Sequence, residues 1–203
     1  MKETLIAAAK KLIETKGLSA VSSREVTREA GCAEGTLYYY FNTIGDLLLA
    51  VFLESLPSFS ESLTGLAFRV GEGQVREILA EVFVKALAFY RQTAPLMGAL
   101  FSDPNLLREY QQALLKSKRG PHIPQDHLRA YLKAEQRLGR VRSDLDLALF
   151  AELFLGSAFQ RAFREKFAGS VQNTFVSSAS KDEQIARDVV QFFAERVEPP
   201  LER

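Results

Sequence analysis

Apolar residues recur at helical spacing along almost the whole chain, and no convincing stretch alternates apolar with polar residues or offers a hairpin turn pair. That pattern predicts an all-α fold. Leu5, Ala8, Ala9, Leu12 and Ile13 stand at i, i+3, i+4, i+7 and i+8, one face of a first helix, and Gly17 is a natural stop for it. Ser22-Ser-Arg-Glu25 has capping-box spacing, in which the Ser22 hydroxyl and the Glu25 carboxylate each satisfy a free backbone N–H, so a short helix should start near Ser23 and end by Gly31. A second short helix begins in EGTLYYYF, residues 34–41. Thr43-Ile-Gly-Asp46 is another box, opening a helix through Leu47 to about Leu56, which Pro57 ends or kinks. Beyond it we expect helices from Glu72 to about Arg91, Pro95 to Phe101, Pro104 to about Lys118, Pro124 to about Arg137, Asp144 to about Phe167 and Asp182 to about Val197. The breaker GPHIP precedes Pro124, and a serine-rich loop spans 170–181.

A chain of 203 residues with 47% hydrophobic composition can bury a substantial core, and its length allows a small lobe beside a larger one. The formal charge is only +1, so whole-chain charge selects neither an acidic partner nor a nucleic acid. The single cysteine, Cys32, excludes an internal disulfide framework, fits a reducing cytosol and reads as a packing residue in a turn. Leu5 to Ala9 is too short an apolar run for a signal peptide, and Leu47 to Leu53 is far below the roughly 20 residues of a membrane span. The reading is of a cytoplasmic protein with no membrane partner.

The run Tyr38-Tyr39-Tyr40 is the feature that asks for a function. At about 100° per residue, Leu37 and Phe41 share one helix face while the three tyrosines fan over the remaining arc, so at most one or two of them can reach a core and the others must stand outward. A capped short helix, a turn around Gly31 and a second short helix form a helix-turn-helix, whose second helix can lie in a DNA major groove. Leu37 and Phe41 would then face Val26, Ala30, Leu12 and Ile13, leaving tyrosine hydroxyls to donate to phosphates. Arg24 can reach guanine or a phosphate, and Glu34 can accept from cytosine N4 or simply favour the helix terminus. Thr36 lies in the first turn, beside free N–H groups that attract anions. The competing reading is a partner-protein patch or a locally buried tyrosine cluster.

The segment from about Glu3 to Val51 resembles the N-terminal DNA-binding segment of the TetR family of bacterial repressors, most closely in GTLYYYF. The resemblance implies that Arg24 contacts a base or phosphate, that Thr36, Tyr39 and Tyr40 contact the DNA backbone, and that Glu34, Gly35 and Tyr38 lie near base edges. Thr43 remains for a phosphate. The chain departs from the family in having Ala33 where serine is frequent and Ile44 where a lysine usually begins the fourth helix. In residues 1–50, six basic side chains are matched by six acidic ones, so a strongly basic footprint is absent.

Leu147 to Phe163 is apolar nearly all the way round, so a helix there needs cover on several sides. One side can face its own domain and another a second subunit, with Gly156, Ser157 and Ala158 allowing close approach and the last helix (Ile185, Val189, Val190, Phe192, Phe193) joining in. The family resemblance implies the same homodimer, whose paired recognition helices read a palindromic operator in double-stranded DNA. Phe83, Leu87, Tyr90, Met97, Leu100, Phe101, Phe154 and Phe159 are mostly core residues individually. Collectively they can line a cavity for a small apolar effector, as in the family.

The expected organisation is a helix-turn-helix DNA-binding domain over 1–48, an effector-binding and dimerisation domain over 49–197 and a flexible tail over 198–203. The expected function is that of a ligand-responsive repressor with no cofactor. An acyl-thioester or fatty-acid responsive regulator, or a helical interaction module without DNA binding, is the alternative. Nine basic residues against three acidic ones between Arg108 and Arg142 form either a solvated face or a seat for an anionic effector head. No catalytic triad, Cys/His pair or Gly-rich phosphate loop suggests an enzyme. His122 and His127, separated by Pro124, cannot share a helical face as metal ligands.

Overall fold

The computed structural model describes residues 1–54, 57–117, 120, 122–168 and 179–197. The serine-rich stretch over 169–178, the tail over 198–203, Leu56, Lys118 and Arg119 lie outside them. The described residues form helices and no strand. In chain order these are α1 (Lys2–Lys16), a 3-10 turn (Leu18–Ala20), α2 (Ser23–Ala30), α3 (Glu34–Tyr40), α4 (Ile44–Glu54) and α5 (Pro57–Thr64). A second 3-10 turn (Gly65–Arg69), α6 (Val75–Leu100), α7 (Pro104–Ser117), α8 (His122–Arg137), α9 (Leu147–Ala168) and α10 (Ala179–Val197) complete the order.

Two compact units emerge, one of residues 1–57 with 92–120 and one of 58–91 with 121–203. The chain passes from the second unit to the first inside α6.

The first unit has two apolar clusters that share α4. Leu47 and Val51 pack with Leu5, Ala9, Leu12, Val26, Leu37 and Phe41 of the first three helices. Leu48 and Leu49 pack with Leu18, Leu100, Tyr110 and Ala113, bringing α7 against α4. A helix with mean apolar character all round is therefore covered from two sides, as its composition requires.

In the second unit Phe83, Ile78, Leu79, Leu87, Leu132, Tyr131, Phe154 and Ala158 are buried. Glu135 is fully buried among them: Oε1 accepts from the Gly71 N–H at 3.0 Å, and Oε2 faces Arg140 Nε at 3.2 Å. Arg140 also donates to the Glu72 and Gly73 carbonyls, so one buried ion pair ties the loop before α6 to α8. Burial, then the adjacent negative Glu135, pushes the Tyr131 phenol up from its ordinary value. Arg91 binds two carboxylates, Glu165 on α9 (2.6 and 2.9 Å) and Asp182 on α10 (2.6 and 2.9 Å).

Several expectations are corrected. The separate helices Glu72–Arg91 and Pro95–Phe101 are one helix, α6, with Pro95 inside it. The missing Pro95 N–H leaves the Arg91 carbonyl without its helical donor, a loss the surrounding turns outweigh. Pro57 stands at the first helical position of α5, three residues beyond the end of α4, where its absent N–H has no intrahelical role. Pro124 likewise falls in the first turn of α8, which begins at His122. The Glu25 carboxylate does not return to Ser22 but pairs with Arg28, although Ser22 Oγ does accept from Glu25 N at 3.2 Å. Ala158 is fully buried within its own chain, so only Gly156 and, partly, Ser157 reach the surface there.

Candidate nucleic-acid interface

Each turn in the first unit is built from local chemistry. Gly31 closes α2 in the left-handed region (φ 69°, ψ 34°), where a side chain would be strained, and its N–H and that of Cys32 return to Arg28 and Thr27 carbonyls. Cys32 is half-buried against the α1–α4 core. The buried Thr27 hydroxyl donates to the Ser23 carbonyl at 2.8 Å and leaves no bare polar group behind the turn.

With Ala33 at its N-cap, α3 has no side-chain cap, and the Thr36 N–H bonds the Ala33 carbonyl at 2.9 Å. Its orientation comes from packing instead. Leu37 is fully buried and Phe41 nearly so, with Lys2 Nζ 5.7 Å from the Phe41 ring centroid. All three tyrosines consequently face outward: Tyr38 is 51% exposed, Tyr39 82% and Tyr40 39%. Tyr39 and Tyr40 meet edge to face at 4.9 Å, which restrains both rings without hiding them.

The start of α4 carries the expected reciprocal box: Thr43 N–H donates to Asp46 Oδ2 at 3.1 Å and Asp46 N–H to Thr43 Oγ1 at 3.0 Å. Charges nearby are largely paired. Lys11 bonds Glu29 and holds its carboxyl below the usual value, while Arg28 bonds Glu25. Arg24 is exposed with no ion pair among the described residues, so it keeps its donors for a partner. Ser23 donates to Glu34 across the turn, a link that spacing gave no sign of, and one that steadies the carboxylate at the first residue of α3.

The residues expected to line an effector cavity are divided between the units. In the second unit Phe83 and Phe154 meet at 5.6 Å, and Tyr90 packs on Phe89, Phe159 and Phe59 at 5.2, 5.5 and 6.2 Å. Leu87 is buried, and desolvation pushes the Tyr90 phenol up to about 12. In the first unit Met97 and Leu100 join the α4–α7 cluster, whereas Phe101 is 70% exposed. A cleft of about 210 Å³ in the second unit is lined by Glu61, Ser62, Gly65, Arg69, Glu81, Val82 and Lys85, with Arg69 paired to Glu81 at 2.5 Å. Most of those residues are polar or charged, and the apolar pattern of the sequence did not single them out.

The basic run is divided between the units: Arg108 and Lys116 belong to the first, while Arg129, Arg140 and Arg142 of the second pair with Asp126, Glu135 and Asp144. Among the described residues no cluster of His, Cys, Asp and Glu could hold a metal, and no helix is long and apolar enough to cross a membrane.

A capped α2, a tight turn and a second short helix with an outward tyrosine face, among described residues that are otherwise helical, define a helix-turn-helix fold. Residues 5–51 match the model for bacterial regulatory proteins of the tetR family. Over 98% of its length the chain also follows, with a TM-score of 0.75 and 15% identity, a Mesorhizobium loti protein described as a TetR-family transcriptional regulator, covering 96% of that chain. FadR from Bacillus subtilis, solved in complex with stearoyl-CoA, matches with a TM-score of 0.67 and 18% identity over 95% of this chain and 97% of its own. SmeT, the repressor of the Stenotrophomonas maltophilia multidrug efflux pump SmeDEF, matches with a TM-score of 0.69 and 14% identity over 100% and 93%. None of the curated proteins matches in sequence. The likeness to the tetR family thus lies in residues 5–51 in sequence, and over the whole length of the chain it is one of fold.

Proposed function

We propose that this chain is a cytoplasmic transcriptional repressor that grips a palindromic operator as a homodimer and is released by a small apolar effector. The observation that carries the reading is the outward tyrosine face of α3, backed by a buried Leu37 and Phe41. An exposed face of three phenols has donors for phosphates and apolar edges for sugars, and Arg24 stands ready for a base edge. Pairing is supported by Leu149, Leu153, Phe159 and Phe163 on α9 and Phe192 on α10, all exposed on the single chain.

The test is selection of double-stranded DNA from a random pool, followed by affinities for two variants. Arg24→Ala should cost about 1–3 kcal/mol on the selected site if it reads a base. Tyr39→Phe should weaken selected and unrelated duplexes alike. No selected site even at low salt would remove the DNA reading in favour of an interaction module.

A second reading concerns the effector. The stearoyl-CoA held by the FadR neighbour favours an acyl thioester, and adding stearoyl-CoA or stearate to the operator complex separates a thioester response from one to any apolar chain.

A further inference from the structure

The amide of Gly45, in the first turn of α4, donates to Glu109 Oε2 on α7 at 3.1 Å. This contact is built into the backbones. A Cβ on Gly45 would stand 2.5 Å from Glu109 Cβ, 2.7 Å from the Glu109 carbonyl carbon and 2.9 Å from Tyr110 N, so only glycine lets α7 approach this closely. Tyr110 and Ala113 of the same helix pack with Leu48 and Leu49, which holds α7 in register.

The consequence falls on the DNA face. Thr43, expected to meet a phosphate, begins this turn, and Ile44 brings no positive charge to it, so backbone N–H groups are the remaining donors. Thr43 and Asp46 satisfy each other's N–H, and Glu109 takes that of Gly45. Two carboxylates thus sit where a DNA phosphate would need positive potential.

Resting on the DNA-binding reading above, we propose that Glu109 is a positioning residue that stands in for a phosphate at the start of α4. While α7 is docked, the Gly45 N–H is occupied by an internal anion; a backbone phosphate gains it only when Glu109 leaves. The grip on DNA is then set by α7, without any change in the base-reading residues.

The experiment uses the full chain, its selected duplex and an unrelated duplex, with affinity measured across salt concentrations. Glu109→Ala vacates the amide and Glu109→Gln keeps an acceptor while removing the charge; Glu14→Gln controls for loss of one exposed negative charge. Glu109→Ala should bind both duplexes about fivefold more tightly, the factor for relief of two like charges about 4 Å apart in water. Its plot of log affinity against log salt should steepen by about 0.9, one added phosphate contact. Glu109→Gln should gain affinity without the extra slope, and Glu14→Gln should match wild type. Unchanged or weaker binding by both Glu109 variants, or a gain confined to the selected sequence, overturns the proposal. If Glu109→Ala does not fold, Glu109→Gln decides alone: it must tighten binding to both duplexes. Wild type binding neither duplex would instead remove the DNA reading itself.

Discussion

Replacing Gly45 by alanine is the most informative single perturbation of the first unit. Helix propensity alone favours the change by at most about 1 kcal/mol, the figure for a helix interior, because alanine gives up less backbone freedom than glycine and Gly45 stands in the first turn. Packing opposes it. The new methyl would lie 2.5, 2.7 and 2.9 Å from three atoms of α7, two of them backbone, and ordinary carbon contacts need nearly 1 Å more. No rotamer can relieve a backbone clash, so α7 must retreat and loosen Leu48, Leu49, Leu100, Tyr110 and Ala113 together. Overpacking of that kind costs about 3 kcal/mol at the upper end of its usual range, leaving a net loss of about 2 kcal/mol. Urea unfolding followed by circular dichroism measures it. Gly98→Ala on α6 is the matched control, since a Cβ there meets nothing within 4 Å and should bring only the propensity gain. A Gly45→Ala protein as stable as Gly98→Ala would refute the argument that close approach of α7 is what this glycine serves.

Leu153→Glu on α9 should leave the chain folded and abolish pairing, because Leu153 is 52% exposed on the single chain but would bury an unpaired charge in the proposed seam. Sedimentation at micromolar concentration checks it, and a stable wild-type monomer would refute the seam. Tyr90 bears on alkaline stability: its phenol is raised from 10.0 to about 12, so its contribution is fully present below pH 10 and is lost as pH climbs through 12. In Tyr90→Phe the fall of unfolding free energy between pH 10 and 12 should be shallower; an unchanged slope would mean that the phenol is not desolvated.

What the sequence determined by itself was everything that depends on residues within about four positions of one another. The 3.6-residue stripe of α1, the Ser22 and Thr43 caps, the glycine stops and the placing of Leu37 and Phe41 against three outward tyrosines follow from backbone geometry and local hydrogen bonds. The effects of Pro95 and Pro124 were local too but were misjudged. A proline's missing donor costs nothing in a first turn, as at Pro57, and can be outweighed within a long packed helix, as at Pro95. The tertiary structure alone decided the partners of apolar and charged faces. It sent Leu47 and Val51 to one cluster and their neighbours Leu48 and Leu49 to another. It buried Ala158 while leaving Gly156 exposed two residues away, and set Glu109 on Gly45 across 64 residues of chain. An apolar stripe shows that a face must be covered without naming what covers it, because burial free energy is non-directional and scales with area. Close approach and charge pairing are settled only when whole helices have been brought together.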